Sequence, residues 1–240
     1  MSAQSLEDQM QEDWDREYAE VHAYTTSYRL DLDRGLHFLL AYLDGRGEAL
    51  AEPVLDCGCG VGRNTLPLAR RGHRVFGLEH SSVALERLQD SLREEGLGDL
   101  VSATQHDLGE PLPVEDGSIG TVLDITAVDN LVDPVRRQLY GTEVGRVLRP
   151  GGLALVVTFA RDDGYYGRWL GGTGGENDGV VEDPHTGIRN QLFTHASLSS
   201  VFSPPLRPLV RGTLVFLDDA AGTPWTRRFL IHLYRKPTDS

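Results

Sequence analysis

The sequence predicts an α/β fold with a parallel, doubly wound sheet that ends in an antiparallel hairpin. Between residues 53 and 160, short apolar stretches with strand character alternate with stretches of helical periodicity. Such alternation is typical of parallel strands joined by right-handed helical crossovers. The alternation stops after Ala160, and the chain closes with two long strand-like stretches joined by "DAAGTPWT", as expected of a hairpin.

The first fifty residues predict a helical cap. "SLEDQMQEDWDREYAEVHAY" is polar with scattered aromatic residues, and "LDRGLHFLLAYLDG" carries an apolar stripe that ends at Gly45. We therefore expect a cap over residues 1–50 and a second unit over residues 51–240. Residues 161–205 of that unit, rich in glycine, acids and aromatics at their start, are expected to form an insertion or lid.

Five strands and three helices are expected between the cap and the insertion. The strands are "PVLDCG", "HRVFGLEH", "LVSATQHD", "GTVLDIT" and "LALVVTFA". The helices are "NTLPLARRG", "SSVALERLQDSLREEG" and "PVRRQLYGTEVGRVLRPGG", the last ending in a Pro-Gly-Gly turn. A short helix over residues 194–202 and the hairpin strands "PLVRGTLVFLD" and "RRFLIHLYRKP" complete the expected order.

Composition narrows the classes of function. The 240 residues have a formal net charge of −13, which disfavours a nucleic-acid binder because such proteins present a basic surface. No apolar run is long enough to span a bilayer, and the polar, acidic start does not resemble a signal peptide. The only cysteines, Cys57 and Cys59, are interpreted as small buried residues and not as metal ligands. We expect a cytoplasmic monomer or homodimer that binds no metal.

The stretch "VLDCGCGVGRN" follows the first expected strand and places glycines at every second position. Gly58, Gly60 and Gly62 let a ligand approach the backbone closely, and the following helix offers its positive end to an anionic group. Several ligands fit this pattern, a dinucleotide among them. Asp56 narrows the choice because a carboxylate repels a pyrophosphate and attracts an ammonium group.

Two further acids lie where other strands end. Glu79 closes the second strand, where an acid accepts hydrogen bonds from ribose hydroxyls. Asp107 follows the third strand and is placed to accept a hydrogen bond from an adenine amino group. An ammonium, a carboxylate, a ribose and an adenine together describe S-adenosylmethionine.

These motifs resemble the class I S-adenosylmethionine-dependent methyltransferases, over about residues 53–160 and again in the terminal hairpin. The matching segments are "VLDCGCGVGRNTLPLARRGH", "VFGLEHS", "QHDL", "GTVLDITAVDNL" and "EVGRVLRPGGLALVVTF". The sequence of the first segment most resembles that of small-molecule methyltransferases of the thiopurine and tellurite type. The resemblance implies a Rossmann-like, seven-stranded sheet, S-adenosylmethionine as cofactor and S-adenosylhomocysteine as product.

The resemblance also implies roles for individual residues. Asp124 falls where the family lines the methyl-transfer site, and Arg63 is a candidate partner for the methionine carboxylate. The chain departs from many relatives after the fourth strand, where it reads Asp129-Asn130, and it lacks the Asn/Asp-Pro-Pro-Tyr-type motif of certain amino-group methyltransferases. The expected cofactor-binding residues are Asp56, Gly58, Cys59, Gly60, Arg63, Glu79, His80, Asp107, Leu108 and Asp124.

Methyl transfer from a sulfonium needs positioning more than a strong base. If a base acts, Asp124 and Asp129 are the candidates. The expected substrate is a small molecule with a nitrogen, oxygen or sulfur nucleophile, enclosed by aromatic residues of the cap and insertion. Candidates for this role are Tyr18, Tyr24, Tyr28, Tyr165, Trp169 and Arg189.

Three alternatives stay open at this point. A nicotinamide-dependent oxidoreductase is disfavoured because the glycine spacing is not Gly-x-Gly-x-x-Gly. A non-catalytic protein that binds the donor would carry the same motifs. A protein or RNA acceptor is possible in principle, but the acidic composition offers no basic surface for it.

Overall fold

The computed structural model describes residues 3–20, 33–170, 179–220 and 223–238. Within these residues the helices span Ala3–Ala19 (α1), Arg34–Asp44 (α2), Thr65–Ala69 (α3), Ser82–Glu95 (α4), Pro134–Val147 (α5) and His195–Phe202 (α6). The strands there span Val54–Cys57 (β1), Val75–Glu79 (β2), Val101–Gln105 (β3), Ile119–Ile125 (β4), Leu148–Phe159 (β5), Val180–Glu182 (β6), Arg189–Gln191 (β7), Arg207–Ala220 (β8) and Thr223–Arg235 (β9). Short 3-10 turns lie at Val128–Asn130 and Gly167–Trp169.

Seven of the described strands form one sheet in the order β3-β2-β1-β4-β5-β9-β8. Strands β1 to β5 are parallel, β9 runs antiparallel to β5, and β8 runs antiparallel to β9. The predicted Rossmann-like, doubly wound sheet with a C-terminal antiparallel hairpin is therefore confirmed. The chain order reverses between β1 and β4, and ligands bind at the carboxyl edge of such a switch point.

Helices cover both faces of this sheet, so the strands contribute side chains to two apolar cores, one on each face. Leu55 and Val122 belong to the core that includes Tyr140 of α5. Val54 and Leu123 belong to the core on the side of α2 and α4. Because successive strand residues point to opposite faces, this alternation also decides where the acidic residues of β1 and β4 point.

The ends of helix α4 agree with the sequence predictions, whereas the end of helix α5 does not. Helix α4 is capped by the Ser81 hydroxyl, which accepts a hydrogen bond from the Ala84 amide, and it ends at Gly96 with a φ of 66°, as its sequence predicts. Helix α5 ends at Val147, before the Pro-Gly-Gly turn that was expected to close it. That turn instead belongs to β5, where the Gly151 amide donates to the Lys236 carbonyl.

The structure also differs from the predictions in the lengths of some elements. Helix α3 has only five residues, and the chain continues as a turn to Gly72. The hairpin strands are longer than expected, because β8 runs to Ala220 and β9 starts at Thr223. Within the insertion, β6 and β7 form a two-stranded antiparallel sheet that was not predicted. None of the helices in the described ranges is long and apolar enough to cross a membrane.

Candidate functional site

An open cleft lies at the carboxyl edge of the sheet, at the switch point between β1 and β4. The glycine loop after β1, the ends of β2, β3 and β4, and one face of α1 line it. Among the described residues, this lining consists of Met10, Trp14, Tyr18, Gly58, Cys59, Gly60, Val61, Arg63, Asn64, Glu79, His80, Asp107, Leu108, Ile125, Thr126, Ala127, Asn130 and Leu131.

The glycines of the loop adopt backbone conformations that other residues rarely take. The φ angles of Gly58, Gly60 and Gly62 are 71°, 53° and 93°. At Gly62 a β-carbon would lie 2.6 Å from Leu88 of α4 and 2.9 Å from Leu66. This glycine therefore lets the loop pack against two helices, while Gly58 and Gly60 line the cleft.

Hydrogen bonds within the chain hold the loop in place. The amides of Gly58 and Cys59 both donate to the Leu78 carbonyl, at 2.7 and 3.1 Å. The Gly60 amide donates to Glu79 Oε2 at 2.9 Å. The sequence pattern predicts that these amides and the following helix face an anionic ligand. These amides already donate hydrogen bonds to the Leu78 carbonyl and to Glu79. Helix α3 has only five residues and therefore a weak dipole. We therefore expect side chains, more than backbone amides, to bind the ligand.

Glu79 both fixes the loop and faces the cleft. Besides the bond from Gly60, its Oε1 accepts the Ser81 amide at 2.8 Å. Burial raises the pKa of Glu79, although these backbone hydrogen bonds oppose the rise. A carboxylate offers about four acceptor positions, so capacity is left for ribose hydroxyls. The ribose contact stays a prediction that this geometry favours.

Asp107 and Leu108 lie in the part of the lining that follows β3. Asp107 Oδ2 accepts from Arg136 Nη2 at 2.5 Å, and its Oδ1 accepts from the Gly109 amide at 2.8 Å. Burial raises the pKa of Asp107, but these two hydrogen bonds outweigh it and leave the pKa below its ordinary value. The carboxylate is therefore ionised and held beside the cleft. Arg136 is a site residue that the sequence analysis missed, since no motif marks this position of α5.

Arg63 and His80 complete the predicted cofactor residues that line the cleft. Arg63 Nη1 lies 3.3 Å from Oδ2 of Asp33, the residue that caps α2. The Arg63 guanidinium is thus held at the start of α2, where the Asp33 carboxylate offsets its positive charge. The His80 carbonyl accepts from Gln105 Nε2 at 3.1 Å, which links the ends of β2 and β3.

Asp56 and Asp124, two acids assigned to the site from the sequence, are buried and are not among the lining residues. Asp56 accepts the Thr65 hydroxyl at 2.6 Å on the α3 side of the sheet. Asp124 accepts the Tyr140 hydroxyl at 2.7 Å and the Val128 amide at 3.2 Å on the α5 side. Burial raises the pKa of Asp56 to about 7 and that of Asp124 to about 6. Strand alternation turns both carboxyls towards the cores, where they make the contacts described, and their contact with the cofactor stays a prediction.

Asp129, the second candidate base, is also buried, in the turn that follows β4. The Thr158 hydroxyl donates to its Oδ1 at 3.1 Å. Burial, with a smaller contribution from the nearby Asp124, raises the pKa of Asp129 to about 8. The carboxyl is therefore mostly protonated at neutral pH, and its role as a base stays a prediction. Its neighbour Asn130 is the residue of this turn that faces the cleft.

Helix α1 packs across the cleft through Trp14 and Tyr18, whose rings stack with centroids 5.5 Å apart. A β-carbon on Gly60 would lie only 2.6 Å from the Tyr18 hydroxyl oxygen. Asp15 attaches this helix to the domain, because its Oδ1 accepts the Ser81 hydroxyl at 2.6 Å. Tyr18 was assigned to the substrate from the sequence, and the structure places it against the glycine loop.

The aromatic residues of the insertion form a cluster with β9. Tyr165 is buried, with its ring centroid 4.8 Å from that of Trp169 and 6.0 Å from that of Trp225. The Arg168 guanidinium lies over the Trp169 ring at 4.2 Å. Tyr165 and Trp169 are not among the described lining residues of the cleft, so their predicted contact with the substrate stays a prediction.

Strand β7 brings the insertion to the wall of the cleft. Asn130 Nδ2 donates to Asn190 Oδ1 at 3.1 Å and lies 3.5 Å from the carbonyl oxygen of Arg189. Arg189 therefore reaches the site through its backbone, and the structure gives its side chain no place in the described lining. Tyr24 and Tyr28, also assigned to the substrate, lie outside the described residues.

A buried ion pair joins the insertion to β9. Arg227 Nε donates to Asp163 Oδ2 at 3.0 Å. Asp163 also accepts the amides of Arg228 at 2.8 Å and Tyr166 at 2.9 Å. The Asp-Gly step after β5 is a turn signal in the sequence, but nothing in the spacing identifies a partner 64 residues away.

The groups that face the cleft fit S-adenosylmethionine. Glu79 has free acceptor capacity for a ribose, and Asp107 presents an ionised carboxylate to a donor such as an adenine amino group. The carboxylates of Glu79 and Asp107 line the cleft, and each of the two nearby arginines, Arg63 and Arg136, is paired with an aspartate. Gly60 keeps the loop free of a side chain where the cleft is narrowest against α1.

Residues 54–152 match a family model described as a methyltransferase domain. The matched segment starts with β1 and runs into β5, so it contains the glycine loop, Glu79, Asp107 and the turn with Asn130.

Two curated relatives each match about half of the chain. A methyltransferase of Streptomyces halstedii, GfsG, is 41% identical over 105 residues, which cover 43% of this chain and 36% of that protein. An uncharacterized RNA methyltransferase of Parasynechococcus marenigrum is 28% identical over 145 residues, which cover 58% of this chain and 30% of that protein. The matched stretch thus spans about a third of the length of each relative.

A solved structure extends the likeness to most of the chain. A structure from Methanosarcina mazei, described as a SAM-dependent methyltransferase, superposes with a TM-score of 0.69 at 21% identity and covers 87% of this chain and 100% of that chain. At this identity the superposition bears on the fold, and the family model bears on the domain type. Fold, cleft and the match of residues 54–152 to a methyltransferase-domain model together support a class I S-adenosylmethionine-dependent methyltransferase.

Proposed function

We propose that this protein transfers a methyl group from S-adenosylmethionine to a nitrogen, oxygen or sulfur atom of a small molecule. The observation that carries the proposal is the cleft in which Glu79, Asp107 and the glycine loop converge beneath α1. When bound, the cofactor supplies a methyl group that its sulfonium already activates. The chain itself then has to bind, orient and exclude water.

Each of these tasks has a residue suited to it. Glu79, fixed by two backbone amides, orients the ribose, and Asp107, fixed by Arg136, accepts from the adenine amino group. Trp14 and Tyr18 cover the cleft with two aromatic rings and limit the access of water.

The acceptor enters where Asn130 meets the insertion. Both candidate bases, Asp124 and Asp129, are buried and hydrogen-bonded, and the pKa of each is raised by burial. Neither carboxyl lines the cleft, which favours an acceptor whose nucleophile needs little help in losing a proton, such as an amine or an acidic thiol. The cap over residues 1–50 and the insertion over residues 161–205 are proposed as the parts that select this acceptor.

A second candidate acceptor is RNA, because several curated relatives are named RNA methyltransferases. The formal net charge of −13 opposes it, since RNA binding draws most of its affinity from basic side chains. We therefore favour the small molecule. We also propose the cytoplasm as the site of action, in keeping with two free cysteines.

Calorimetry on the whole protein tests the donor site. We expect S-adenosylmethionine and S-adenosylhomocysteine to bind, and Glu79→Gln to weaken both about tenfold or more, because an amide nitrogen cannot accept from a hydroxyl. Glu94→Gln, at an exposed position of α4, is the matched control and should bind like the wild type. Binding of NAD in place of both ligands would contradict the proposal.

Turnover tests the reaction and the acceptor class. S-adenosylhomocysteine release is measured with a panel of amines, phenols and thiols, and separately with transfer and ribosomal RNA. Methylation confined to RNA would reject the small-molecule proposal. Donor binding with no turnover on either panel would favour the non-catalytic alternative.

A further inference from the structure

The outer edge of the main sheet is a long strand without a neighbour among the described strands. Strand β8 has 14 residues and pairs with β9 on one side, and the sheet ends there. Exposed edges offer unpaired backbone groups to other chains, and proteins protect them with proline, charge or bulges. Pro208, with the irregular pairing between Pro208 and Val210, protects only the beginning of β8.

The middle of this edge carries no such protection. Residues 212–217 read "GTLVFL", with high strand propensity, no charge and no proline. Val215 and Leu217 are 59% and 72% exposed, among the most exposed large apolar residues of the described chain. An uncharged apolar edge of this kind favours a partner strand.

The strand is complementary to itself in one register. Suppose that two copies of β8 lie antiparallel about a two-fold axis through Val215. Each residue before Val215 then faces the residue of the second copy that lies equally far after Val215. Arg211 then faces Asp219 of the second copy, and Thr213 faces Leu217. On the other face Leu214 lies opposite Phe216, so that apolar residues meet apolar residues and opposite charges meet at both ends.

Neighbouring registers lose this match. With the axis through Leu214, Arg211 faces Leu217 and Asp219 faces Leu209. With the axis through Phe216, Leu214 faces Asp218. Of these three registers, only the one centred on Val215 pairs Arg211 with Asp219 and keeps the apolar residues together. This charge complementarity points to a second copy of the chain as the occupant.

We propose that two copies of this protein pair their β8 strands antiparallel about a two-fold axis through Val215, which joins two seven-stranded sheets into one. The interface is isologous, since the same strand serves both copies. It lies at the outer edge of the sheet, away from the switch point, so it does not depend on the proposed activity.

Disulfide trapping in the full-length protein tests the register. In Val215→Cys the two cysteines face each other across the axis, where opposing Cα atoms lie about 4.5–5.5 Å apart, within disulfide reach. In Leu217→Cys, the matched control on the same exposed face, the cysteines lie four positions apart, or about 14 Å along the strand. We expect Val215→Cys to form a covalent dimer on mild oxidation at least about tenfold faster than Leu217→Cys. Equal rates, or no cross-link for Val215→Cys, would overturn the register.

Mass measurement by sedimentation or light scattering tests the dimer itself. The wild type should show twice the chain mass of 26.5 kDa at micromolar concentration. Val215→Lys places two like charges face to face and should give a monomer, whereas Val135→Lys, at an exposed apolar position of α5, should stay dimeric. Arg211→Asp should dissociate the dimer, and adding Asp219→Arg should restore it. A monomeric wild type, or a double variant that stays monomeric while the wild type dimerises, would refute the proposal.

Discussion

Asp129→Asn is expected to remove a large part of the pH dependence of stability. The Asp129 carboxyl is buried and accepts only from Thr158 among its described side-chain contacts. Burial raises its pKa from 3.8 to about 8. Between these two pH values, the folded protein holds a proton that the unfolded chain releases. The free energy of unfolding contributed by this group is therefore full below about pH 4 and falls as the pH rises through 8.

The size of the effect follows from the two pKa values. Each pH unit between them is worth about 1.4 kcal/mol, so the interval from 3.8 to about 8 sets an upper limit of roughly 6 kcal/mol. Entry of water around the ionised form reduces this limit, and we expect a change of roughly 2 kcal/mol or more. Asparagine keeps an oxygen for the Thr158 hydroxyl and cannot ionise, so the variant should gain more stability relative to the wild type at pH 8 than at pH 5.

Urea denaturation at pH 5 and pH 8 measures this difference. Asp56 and Asp124 have raised pKa values as well, so the variant should keep part of the slope with pH. Asp99→Asn, at an exposed position, is the control and should follow the wild type. Parallel stability curves for Asp129→Asn and the wild type would show that this carboxyl is not the buried, protonated group inferred from the structure.

Three further outcomes are expected. Gly62→Ala should lower the free energy of unfolding in urea by about 2 kcal/mol or more, and Gly72→Ala should lower it by about 1 kcal/mol. Both glycines have a positive φ, but only a β-carbon at Gly62 would clash with its neighbours. Equal losses would exclude the clash. Tyr18→Ala should raise the Kd for S-adenosylmethionine about tenfold in calorimetry, because Tyr18 lies against the glycine loop. Trp169→Ala should leave this Kd unchanged and raise the KM for the acceptor. The reverse pattern would contradict the placement of α1. Asp163→Ala should shift the tryptophan fluorescence of the insertion and cost about 3 kcal/mol, since it leaves Arg227 buried without its carboxylate, and an unchanged spectrum would argue against this anchor.

The main sheet could be predicted from the sequence because each of its strands carries a local signal. Apolar runs such as "LALVVTFA" identify β5 without any knowledge of its neighbours. Strands β6 and β7 have three residues each, too few to show a period, and they exist because they pair with each other. Their absence from the prediction has this physical cause.

The site was predictable to the extent that it depends on order along the chain. Glu79 and Asp107 follow strands, and parallel strands bring their ends to one edge. The direction in which Asp56 and Asp124 point depends on which face of each strand meets which helix, and the sequence does not state that. The partners Arg136 and Arg227 come from distant elements, so only tertiary structure reveals them.

The contacts of the insertion have a consequence for how this protein could change during evolution. Asp163 attaches one end of the insertion to β9, and Asn190 attaches the other to the turn at Asn130. The chain between these anchors can vary in length and sequence while the glycine loop, Glu79 and Asp107 keep their own hydrogen bonds. If the insertion selects the acceptor, as proposed above, acceptor choice is separable from donor binding. A relative's insertion grafted between the same two anchors would be a direct way to transfer its acceptor preference to this chain.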